Sequence, residues 1–217
     1  MVRETFVHVQ TAFAAFWRIL PSWFRNNYIW MLLLPPLLVS LLVYKLAEAN
    51  IFGWHSSTPC KAVMEIIHPS LLAGGALLAL VGWRYSKNIS LAFVSVMCAF
   101  TLARELGGQG TSFILYIGLL GLITYGYNNL DKLTILLKST LASSLMATCF
   151  IIYAISQLLD RGFAVRVGRL LLWDSSWEIP YTSQIEESLE TLGGLYLVLT
   201  VVVLIVLVVR GNLKSPS

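Results

Sequence analysis

Charge is what this sequence has least of. Lys and Arg number 15 and Asp and Glu 11 in 217 residues, a charged share of 12%, about half that of an ordinary soluble domain. So little charge cannot clothe a water-exposed surface, and an apolar share of 57% excludes a disordered chain. Three cysteines, Cys60, Cys98 and Cys149, are too few for a disulfide scaffold, and no two are spaced as Cys-x-x-Cys. Cys98 and Cys149 fall inside apolar runs and read as small core hydrophobes, whereas Cys60 falls in a loop. Neither a Gly-x-Ser-x-Gly elbow nor a His-Glu-x-x-His pair occurs, which removes two common hydrolytic machineries. The net charge of +4 is spread singly between apolar runs rather than clustered, so nucleic acid is not an expected partner. No cofactor is expected. Internal repeats are absent too, against an inverted-repeat transporter.

What is present is a series of apolar runs long enough to cross about 30 Å of hydrocarbon. They cover 28–46, 62–83, 88–106, 111–127, 139–159 and 187–209. A backbone in lipid must satisfy its own hydrogen bonds, so each run is expected to be a helix. The fold class that follows is all-α: a polytopic integral membrane bundle of about six transmembrane helices, preceded by an N-terminal amphipathic interfacial helix. Pro35 and Pro36 should break or kink the first span. The second carries Glu65, His68 and Pro69, so its helix either starts near Lys61 with a kink or keeps its first turns among headgroups. Ala47-Glu48-Ala49 imitates a signal cleavage site, but 27 mixed residues precede the first run and the span is expected to be retained.

Residues 1–27 form the interfacial segment. Phe6, Val9, Phe13, Phe16, Trp17 and Leu20 follow one helical face while Arg3, Glu4, Gln10, Thr11 and Arg18 lie mainly opposite. Residues 28–209 form the transmembrane domain and 210–217 a cytoplasmic tail. Within the extracytoplasmic loop 160–186, Phe163, Val167, Leu170 and Trp173 share a helical face. Arg166 and Arg169 stand where lipid phosphates would be, so they are expected to contact headgroups; a solvated loop is the alternative.

Six crossings place both termini on one side with nine basic residues against six on the other, which favours cytoplasmic termini in a cell inner (plasma) membrane. The acids divide more sharply. Glu48, Glu65, Glu105, Asp160, Asp174, Glu178, Glu186, Glu187 and Glu190 gather on the side opposite the termini, with His55 and His68.

The chemistry-bearing candidates lie on that side. Ser183-Gln184-Ile185-Glu186 fits a capping box at the start of the last span, which would account for Glu186 and Glu187 structurally. Glu190 lies one turn deeper, where an unpaired charge is costly, and Arg104 is its expected partner, beside Glu105. Arg104 should therefore pair with at least one of Glu105, Glu186, Glu187 and Glu190. A polar stripe on the fifth span, Thr140, Ser144, Thr148, Cys149, Tyr153, Ser156, Gln157 and Asp160, reads as helix packing with hydroxyls and amides bonding across, or as a permeation path. Gly75, Ala79 and Gly82 make a close-packing edge on the second span. Glu65 and His68 are half of a Glu-x-x-His metal pattern and only weak metal candidates.

Three functions fit this inventory. The first is a non-catalytic subunit or partner of a membrane assembly, with the lipid bilayer, other membrane subunits or a homo-oligomer as partners. The second is a small transporter or channel component with an ion- or proton-coupled site among Arg104, Glu105, Glu186, Glu187, Glu190, Gln157 and Asp160. The third is an intramembrane enzyme or metal protein.

Overall fold

A computed structural model describes residues 28–107 and 112–213. The expected interfacial segment 1–27 and residues 214–217 of the tail lie outside the described residues. Every regular element among those described is helical: α1 Tyr28–Glu48, α2 Ser57–Ser86, α3 Ile89–Gly107, α4 Ser112–Asn128, the short α5 Thr134–Lys138, α6 Thr140–Asp160, α7 Phe163–Leu172 and α8 Thr182–Leu213, with a single 3₁₀ turn at Ile51–Gly53. Four of them, α2, α3, α6 and α8, are long and apolar enough to cross a membrane.

The helices occupy the apolar runs, but their ends differ from expectation. α1 continues through Pro35 and Pro36 without a break, and the Ser40 hydroxyl donates to the Pro36 carbonyl at 2.9 Å. α2 starts at Ser57 and holds 30 residues, Pro69 included. At 1.5 Å per residue it is about 45 Å long, longer than the roughly 30 Å of a hydrocarbon layer. Cys60 is therefore not a loop residue; it is fully buried in the first turns of α2, against Ser188. α8 begins at Thr182, so Ser183 is already helical and Glu186 stands beyond the first turn. The capping box does not form. The start of α8 is instead tied to the preceding chain by Gln184, whose side-chain amide donates to the Trp54 carbonyl at 3.0 Å. Ser139 does cap α6, accepting from the Ala142 N–H at 3.2 Å.

α8 is apolar nearly all round, and such a helix belongs inside. It packs against α1, α2, α3 and α6, and contributes Leu197, Val201 and Leu204 to a core shared with Leu72 of α2, Val94 of α3 and Ile152 of α6. α2 and α8 run side by side in the same direction. Lys61 meets Glu187, Met64 meets Thr191, and a Cβ on Gly194, Gly75 or Gly82 would touch His68, Val198 or Ile205 respectively. The edge formed by Gly75, Ala79 and Gly82 lets the two helices approach this closely. α1, α3 and α6 run the opposite way, so the polar ends of five helices meet at one end of the bundle.

Candidate functional site

At that end a polar cluster is enclosed by α2, α3, α6 and α8. Glu190 is its centre, 4% exposed and roughly 12 Å along α8 from its start at 1.5 Å per residue. Its Oε1 accepts from Arg104 Nη1 at 3.0 Å, Ser156 Oγ at 2.9 Å and Gln157 Nε2 at 3.2 Å. The expected pairing of Arg104 is present, with Glu190 and also with Glu105 Oε1 at 3.4 Å. Three helices thus meet on one carboxylate oxygen. Charge-assisted bonds of this kind are shorter and stronger than neutral ones, and leaving such a group unpaired in the interior would be costly.

Two rings extend the cluster. His68, 3% exposed, places Nε2 2.8 Å from Tyr153 Oη and Nδ1 3.7 Å from Glu105 Oε2. Gly193 and Gly194 make room for them. A Cβ on Gly193 would come within 2.9 Å of the Tyr153 ring, and one on Gly194 within 3.0 Å of the His68 ring. A side chain at Gly193 would force the Tyr153 ring to shift, and one at Gly194 would need the His68 ring to give by a few tenths of an ångström.

The remaining candidates divide. Glu187 bridges to Lys61 at 3.7 Å, and Glu65 to the same lysine at 3.8 Å. Glu186 is half-buried on α8 and faces Asp160, an exposed like charge at the end of α6. The paired metal candidates come apart: Glu65 is exposed and turned to Lys61, while His68 is buried among Tyr153, Glu105 and Glu190. Of the two headgroup candidates, Arg166 is exposed. Arg169 is spent on the chain that follows, donating to the Trp177 carbonyl at 2.8 Å and to Glu178 at 3.2 Å. The Trp177 ring lies across Gly168, where a Cβ would overlap it. In the same loop, Ser176 bonds Asp174 twice, which holds that carboxyl below its ordinary range.

The polar stripe of α6 is only partly what was expected. Ser156 and Gln157 bond across to α8, but Ser144 Oγ and Thr148 Oγ1 are buried without a hydrogen-bond partner. Their small size, not their hydroxyls, suits them to the interface. The sequence puts His68 on the side of these acids and Tyr153 on the polar stripe of α6, but not in contact, because spacing does not say which helix neighbours which. The glycine pair after Glu190 was the available signal.

Comparison with protein-family models, with curated proteins and with solved structures finds no match.

Proposed function

We propose that the chain is a multi-pass protein of the cell inner (plasma) membrane that crosses it six times, α1 and α4 included, with both termini cytoplasmic. We further propose that it acts as a non-catalytic subunit or partner of a membrane assembly, joined to other membrane subunits or to a second copy of itself. The observation that carries this reading is the engagement of Glu190 Oε1 by three donors. All of its hydrogen bonds come from side chains of α3 and α6, so the deepest charge is engaged in holding helices together. α1 supplies a surface for association: Leu34, Leu37, Leu38, Leu41 and Leu42 are all exposed and fall at i, i+3, i+4, i+7 and i+8.

A second reading, a small transporter or channel component, is favoured by the continuity of Tyr153, His68, Glu105, Arg104 and Glu190, a row of titratable groups in contact. Purification in mild detergent with mass spectrometry of retained proteins and lipids separates the two. The assembly reading expects a stoichiometric protein partner or a defined homo-oligomer, and a Glu190→Gln variant without effect on ion or proton flux in proteoliposomes. A monomer whose flux is abolished by Glu190→Gln would replace it with the transporter reading.

A further inference from the structure

We propose that His68, Glu105 and Glu190 bind one divalent transition-metal ion, with zinc the best-matched class. Each residue offers a ligand atom, and the three atoms lie within 4.8 Å of one another, although the side chains come from α2, α3 and α8. The separation of His68 Nδ1 from Glu105 Oε2, 3.7 Å, is too long for a hydrogen bond. It is close to the distance of about 3.4 Å between two donors that each sit about 2.1 Å from a tetrahedral zinc. Among the described residues the imidazole has no hydrogen-bonding partner on that nitrogen, yet its ring is buried and its other nitrogen is held by Tyr153.

The surroundings are those a metal site needs. A ligating histidine is oriented by a partner on its other ring nitrogen. Here Nε2 sits 2.8 Å from Tyr153 Oη; in the tautomer with the proton on Nε2 that N–H donates to Tyr153, and Nδ1 offers its electron pair to a metal. Arg104 orients both carboxylates by their Oε1 atoms, at 3.4 Å from Glu105 and 3.0 Å from Glu190. Ser156 and Gln157 also bond Oε1 of Glu190. Glu105 Oε2 is the oxygen that faces His68. Two ionised carboxylates against one guanidinium give the cluster a net charge of −1, which attracts a cation. One imidazole with two carboxylates suits zinc and its neighbours better than calcium or magnesium, which prefer all-oxygen shells. Three protein ligands would leave a fourth position for water.

The site is independent of the assembly reading, and either can fail alone. The test is titration of Zn²⁺, and of Co²⁺ as a spectroscopic probe, into full-length protein stripped by chelator in detergent, followed by calorimetry and visible absorption. Wild type should take up about one ion per chain, with the intense bands of four-coordinate cobalt. His68→Ala and Glu105→Gln, both outside the hydrogen bonds on Glu190, should each weaken binding by about 100-fold, and Tyr153→Phe by about 10-fold. Glu65→Gln should bind as wild type does. Uptake well below one ion by wild type, or affinity unchanged in either His68→Ala or Glu105→Gln, would overturn the proposal. If one of these two variants does not fold, the other decides.

Discussion

A buried carboxylate with three donors on one oxygen, as Glu190 has, couples the residues around it. Replacing Arg104 by methionine strands the Glu190 carboxylate in the interior, at a cost of about 3–5 kcal/mol, whereas replacing Glu190 leaves Arg104 paired with Glu105. Replacing both removes the stranded charge. The double variant should therefore be more stable than Arg104→Met alone, as measured by thermal unfolding in detergent; additive losses would show that the pair does not work as a unit. A second prediction concerns the glycines. Gly193→Ala drives a methyl group to within 2.9 Å of the Tyr153 ring and should destabilise by about 1–3 kcal/mol, whereas Gly74→Ala meets nothing within 4 Å and should be neutral or slightly stabilising. Equal unfolding temperatures for the two would contradict the packing described. At this scale the sequence announced the Arg104–Glu190 pair, because a charge that deep in an apolar run needs a partner. It put His68 on the side of the acids and Tyr153 on the polar stripe, but not the contact between them, which depends on the register of α2 and α6 against α8.

The helices themselves were legible from apolar length, since lipid permits little else for a backbone. Their ends were not. α2 and α8 both extend past the apolar runs, to Ser57 and Thr182, because side-chain and loop contacts such as Gln184 with the Trp54 carbonyl hold polar turns that hydropathy cannot register. Nor was α5 anticipated; its five residues lie in what reads as a loop. α7 matches the amphipathic pattern expected of it, yet Leu170, Leu171, Leu172 and Trp173 all project outward, too much apolar surface for water. The account places this helix in the bilayer interface. A Leu171→Cys variant carrying an environment-sensitive fluorophore should emit in the blue, apolar range in vesicles; emission characteristic of bulk water would mean that α7 is a solvated loop helix.

Across the whole molecule, helix direction sorts the chain by chemistry. The starts of α2 and α8 and the ends of α1, α3 and α6 share one end, where His68, Glu105, Glu187 and Glu190 meet Arg104 and Lys61. The turn between α2 and α3, with Lys87 at its centre, lies at the other. An oily bundle explains the scarcity of charge, the acids gather at one rim, and placing that rim outside is the claim on which the orientation, the six crossings and the assembly reading rest. The direct measurement is labelling of Lys87→Cys and Ser176→Cys with a membrane-impermeant maleimide in intact and permeabilised cells. The native Cys60, Cys98 and Cys149 are buried and should give little background. The account predicts that Ser176→Cys reacts in intact cells and Lys87→Cys only after permeabilisation; reaction of both from the same side, or the reverse order, would contradict it.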